Sequence, residues 1–125
     1  MTNDLTALRQ RIVDDLTGLG FNAHTVMPET AAPPVVWVVP GDPYVTRDGA
    51  TFGGLLVRHQ VNFAAAPGTN EAAAEELDAL VLDVLDALDT LPDLVTGDVD
   101  RVGLAPINGQ HYLAAGIHVT TEIHR

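Results

Sequence analysis

The chain has 125 residues, 46% of them hydrophobic, a formal net charge of −11 and a pI near 4.4. That length suits one domain with a single core, and the acidity argues against a protein that reads or wraps nucleic acid, which needs a basic patch. The sequence contains no Cys, Lys or Ser, which removes disulfides, thiolate zinc, the P-loop lysine, Schiff bases and serine triads together.

No apolar run approaches the roughly 18 residues of a membrane span. The start, MTNDLTALRQR, lacks the basic region and apolar core of a signal peptide, so a cytosolic product and no membrane partner are expected.

In chain order, Thr2 or Asn3 can cap a first helix with Leu5, Leu8, Ile12, Leu16 and Leu19 on one stripe. Asp4, Arg11, Asp14 and Asp15 lie off that stripe, and Gly18 and Gly20 stop the helix. Met27 to Pro34 is extended and loop-like, because prolines and the residues before them disfavour helix. Val35 to Val39, VVWVV, reads as a strand buried on both faces, or covered by a helix and a neighbouring subunit. Pro40-Gly41-Asp42-Pro43 is expected to end it with a turn. Tyr44 to Phe52 is either a small hairpin around Asp48-Gly49 or a mobile loop permitted by Gly53-Gly54. Leu55 to Ala64 alternates, with Leu55, Val57, His59, Val61 and Phe63 on one face and Arg58, Gln60 and Asn62 on the other.

Thr69 to Leu91 predicts the clearest element, an amphipathic helix capped by Thr69 or Asn70 and stopped by Pro92. Leu77, Leu80, Val81, Val84, Leu85 and Leu88 share one arc, extended by Ala73 and Ala74. Acids fill the opposite arc, among them Glu75, Asp78, Asp83, Asp86 and Asp89, and no Lys or Arg occurs between Arg58 and Arg101. Like charges three or four residues apart repel by roughly 0.2–0.5 kcal/mol per pair, and the helix dipole disfavours Asp83, Asp86 and Asp89 near the C-terminal end. Either this is the solvated face of an acidic protein, or the surface is selected to be negative. Leu82 interrupts that arc as a stray surface residue or a subunit contact.

After Pro92, DLVTGDVD is read as a polar connection. Arg101 to Ile107 predicts a strand, Asn108-Gly109 a tight hairpin turn, and Tyr112 to Ile123 the last strand. Leu113, Ala115, Ile117, Val119, Thr121 and Ile123 line its apolar face. The expected fold is α+β: a mainly antiparallel sheet of about four to five strands with two helices packed on one face, in one domain spanning residues 1–125.

Histidine offers the one chemical candidate. His118, Glu122 and His124 alternate along one strand face, with His111 nearby. Alternate strand residues lie about 7 Å apart, so His118 and His124, three such steps apart, do not share an ion; no metal, cofactor or catalysis is expected. His59 reads as a core histidine with satisfied hydrogen bonds, and Trp37 as core.

The element order, and the stretches PPVVWVVPGDPYV and YLAAGIHVTTEI in particular, resemble the tail terminator proteins of long-tailed bacteriophages, also called tail-completion or minor tail proteins. The likeness runs from Leu5 to Ile123, and the Lys-free composition resembles phages of actinobacteria. It implies a structural virion protein without catalytic residues. Such proteins form a homo-oligomeric, hexameric ring at the head-proximal end of the tail. The ring caps the tail tube protein, ends polymerisation and presents a surface to the head connector protein, while DNA passes through without specific binding. Candidate subunit contacts are then Tyr44, Arg47, Phe52, Arg58, Leu82 and His118, and the acids Glu75, Asp78, Asp83, Asp86 and Asp89 are candidates for the lumen or outer surface. A head–tail connector or head-closure protein of the same joint is the nearest alternative. A small ligand-binding or enzymatic α+β domain using the His-bearing face is a further one.

Overall fold

The computed structural model describes residues 4–26, 34–47, 54–67, 71–100, 102–107 and 109–124, with the backbone alone for 66, 67 and 124. Its elements run α1 (Asp4–Gly18), β1 (Ala23–His24), β2 (Val35–Arg47), β3 (Gly54–Pro67), α2 (Glu71–Asp89), β4 (Leu94–Val99), β5 (Gly103–Ile107) and β6 (Gln110–His124). The fold is α+β as expected, a mainly antiparallel sheet with six strands among the described residues. All neighbours are antiparallel except β1 and β2, which pair in parallel.

α1 buries Leu8, Ile12, Val13 and Leu16. Leu19 leaves the stripe and is 50% exposed, because the helix closes one residue earlier. Phe21 N–H reaches the Leu16 carbonyl and Gly20 N–H the Thr17 carbonyl, both at 3.1 Å, with Gly20 at φ 99°. This is the Schellman arrangement, which requires a left-handed residue where Gly20 stands.

α2 ends two residues before its sequence pattern does, at Asp89, and Thr69 and Asn70, its expected caps, lie outside the described residues. Ala73, Leu77, Leu80, Val84, Ala87 and Leu88 are buried, Val81 and Leu85 half-buried, and Ala74 exposed. Both helices lie on one face of the sheet, over Val36, Val38, Val57, Val61, Phe63, Ala115, Ile117 and Val119. Each fully buried Leu or Val contributes about 1.5–3 kcal/mol.

The strand VVWVV is buried on both faces as expected, but the second cover is the chain's own. Val35, Trp37, Ala64, Ile107 and Tyr112 form a smaller cluster on the face away from the helices. β2 does not stop at Pro40-Gly41-Asp42-Pro43. It bulges between Pro40 and Val45, passes a cis Asp42–Pro43 peptide and pairs with β3 to Arg47↔Leu55. A Cβ on Gly41 would lie 2.9 Å from Arg58 Cβ and 3.0 Å from the Arg58 carbonyl carbon, so only Gly lets the bulge close on β3. Residues 48–53, which hold the Asp48-Gly49 pair, Phe52 and Gly53, lie outside the described residues.

The segment read as a polar connection is β4. β4 and β5 pair with the same side of β6, one after the other, with Leu94↔Thr121 through Val99↔Ile117 and then Gly103↔Ala114 through Ile107↔Gln110. They lie end to end along one edge of the sheet, with Asp100 and Val102 outside either strand. Ile107↔Gln110 pairing leaves a two-residue turn, with Gly109 at φ 79°, as the Asn108-Gly109 pair predicts.

Candidate functional site: an acidic helix face and an open sheet edge

Where β4 ends, Asp100 builds a connected polar group. Asp100 N–H donates to the Gly116 carbonyl at 2.6 Å. Its carboxylate reaches His118 Nε2 at 2.7 Å and accepts from Gln60 Nε2 at 2.6 Å. A Cβ on Gly116 would fall 2.5 Å from Gln60 Nε2 and 2.6 Å from Asn62 Oδ1, so the two carboxamides lie flat across that glycine. A shallow cavity of about 280 Å³ opens beside them, lined by Trp37, Gln60, Asn62, Asp100, Leu104 and Gly116, among others. His118 therefore serves as a partner of Asp100 that ties the edge strand to β6 and β3. Among the described residues, no three His, Asp or Glu side chains converge as metal ligands would.

Tyr44 and Arg58, candidate contacts by sequence, are engaged within the subunit. Tyr44 turns under α1, where Arg9 Nη2 donates to its hydroxyl at 2.8 Å and its ring meets the His59 ring edge-on at 5.5 Å. Arg58 Nη1 donates to Thr46 Oγ1 at 2.8 Å. Arg47 and Leu82 stand free at the surface, Leu82 63% exposed.

His59 departs from its expected role. It is fully buried, yet neither ring nitrogen has a hydrogen-bond partner among the described residues. Burial, and then the nearby Arg9 charge, push its pKa down from 6.5 to about 4, so the ring is neutral at pH 7.

Glu75, Asp78, Asp83, Asp86 and Asp89 are all exposed on the outer side of α2. None of these five has an ion-pair partner among the described residues.

The sequence reading did not identify the edge. Val95 (70%), Val102 (49%) and Leu104 (51%) are exposed, with Val99 less so, along a single stretch of β4, its interruption and β5. Their signal was hidden because Val95, Val99, Val102 and Leu104 are scattered among Thr, Gly, Asp and Arg at no regular spacing; only the pairing with β6 shows that they share an edge.

The fold and these surfaces define a two-layer α+β domain with one apolar open edge and one acidic helix face. No protein-family model matches this chain, and no curated protein matches it.

Proposed function

We propose that the chain is the subunit of a hexameric ring that caps the tube of a long-tailed phage. In this reading it ends tube polymerisation, meets the head connector and resides in the virion at the head-proximal end of the tail. The observation that carries the reading is the separation of two surfaces. Apolar side chains are strung along a sheet edge that pairs with nothing further among the described residues, and such an edge favours association. The acids of α2 face elsewhere and have no local cation. Subunits joined through an edge and closed into a ring leave such a face available to line or rim a channel.

Electron microscopy of the purified chain mixed with polymerising tail tube protein tests this. The expected result is ring-shaped density at one end of tubes that stop growing. Tubes of unchanged length without terminal density overturn the reading. Density on isolated head connectors but never on tubes assigns the chain instead to the connector side of the joint.

A further inference from the structure

We infer that the β4–β5 edge of one copy receives the opposite, β1–β2 side of the next copy, and not a second β4–β5 edge. This rests on the ring reading above and goes beyond it by assigning both sides of the subunit contact.

The first ground is the apolar edge itself. Val95 and Val99 on β4, Leu104 on β5 and Val102 just before β5 are exposed along an edge whose outer side pairs with nothing among the described residues. The second is charge. In sequence this stretch carries Asp93, Asp98 and Asp100 against the single Arg101, so its charge is negative. Two such edges brought together place like charges opposite one another, which destabilises a self-complementary contact. The opposite side offers the complement. Arg47 is exposed at the end of β2 and Val26, 68% exposed, follows β1. Neither Arg47 nor Asp93 has an ion-pair partner among the described residues.

The third ground is register. Val45 pairs with Val57, Val57 with Thr121 and Thr121 with Leu94, so these four stand at one level across the sheet. Val38, Val61, Ile117 and Val99 form a second level by the same ladder. A neighbour set beside β4 without stagger therefore brings its Arg47 to within one residue of the level of Asp93. β2 runs parallel to β6 and β4 antiparallel to it, so this contact is antiparallel. Pro40 and Pro43 remove two donors from the β2 edge, and β1 already covers Val36 and Trp37. The contact is accordingly one of side-chain packing and an ion pair, not a continuous ladder. Being head-to-tail, it closes into a ring when its rotation allows.

The absence of cysteine makes the test clean. In the full chain, the double variant Asp93→Cys with Arg47→Cys is expected to oxidise into a ladder of cross-linked oligomers, whereas each single variant stays largely uncross-linked. In sedimentation, Val95→Asp with Leu104→Asp is expected to weaken self-association at least tenfold with an unchanged circular dichroism spectrum. Efficient dimers from Asp93→Cys alone would mean edge-to-edge pairing and overturn the head-to-tail assignment. Unchanged association of the Val95→Asp, Leu104→Asp variant overturns the edge assignment and leaves the ring reading standing. A wild-type chain that stays monomeric at every concentration and salt, and at tube ends, removes both.

Discussion

His59 shows how one residue can carry an unfavourable local choice. Its ring sits at a core position of β3, between the inward-facing Val57 and Val61, against Tyr44 and near Arg9, with no hydrogen bond to either nitrogen among the described residues. Because the folded pKa lies below the unfolded value, the unfolded chain binds more protons between those values. The stabilising share of neutral His59 is complete above pH 6.5 and is lost as pH falls towards 4. At about 1.4 kcal/mol per pKa unit the full loss is roughly 3 kcal/mol. Urea unfolding of wild type and His59→Leu across pH 7.5 to 4.5 checks this: the wild-type unfolding free energy should fall more steeply, by most of that margin. Parallel curves would show that protonation of His59 is not coupled to unfolding. Two glycines make a second residue-scale pair. Gly41→Ala drives its Cβ against the Arg58 backbone, which cannot swing aside, whereas Gly116→Ala meets the movable ends of Gln60 and Asn62. Gly41→Ala should cost about 1–3 kcal/mol and Gly116→Ala clearly less, mainly through the Gln60–Asp100 hydrogen bond; denaturant unfolding ranks the two.

At the scale of elements, α2 is stabilised from its inner side and opposed from its outer side. Leu77, Val84 and Leu88 are fully buried, while seven acids, from Glu71 to Asp89, stand on a helix with no basic residue. Reversing Asp86 and Asp89 to Lys puts cations near the helix C-terminus and removes repulsion with their acidic neighbours. Each exposed charge near a helix end is worth about 0.3–1 kcal/mol, so the double variant should melt several degrees higher than wild type; an equal or lower melting temperature contradicts this. Both helices were legible in the sequence because a 3.6-residue stripe and its stop signals are local. So was the turn at Gly109, whose positive φ selects that residue type. β4 was not legible, since Gly97 and Asp98 interrupt the strand-forming Val95, Thr96 and Val99, and the segment is held as a strand by its ladder with β6. Pro40-Gly41-Asp42-Pro43 misled for the converse reason: residues that normally turn a chain are here absorbed as a bulge by the partner strand. The Asp100–His118–Gln60 group was invisible because its members lie 18 and 40 residues from Asp100, and only the strand register unites them.

For the whole molecule, a net charge of −11 sets the terms of assembly. Subunits of like charge repel at low salt, over a Debye length of about 30 Å at 0.01 M that shrinks to about 8 Å at 0.15 M. Association through the apolar edge should therefore strengthen with added salt in sedimentation, and a steady weakening would mean that ion pairs dominate the contact. The same charge bears on passage of DNA through the proposed ring. A basic lining would take up phosphates with release of their counterions and hold the polymer in place. An acidic lining repels the backbone, leaves its counterions where they are and offers nothing to grip. Glu75, Asp78, Asp83, Asp86 and Asp89 fit that role physically, because they are exposed, lack ion pairs among the described residues and oppose the stability of their own helix. Solubility alone would be served as well by acids elsewhere on the surface, so the discriminating variant changes these residues as a set. Phage complemented with Asp83, Asp86 and Asp89 all changed to Lys should assemble tails of normal length and join heads, yet eject DNA slowly or incompletely. The isolated protein should meanwhile melt no lower than wild type, which separates a passage defect from a folding defect. Normal ejection together with faulty tail length or head joining would place these acids in a contact with another protein and remove them from the channel.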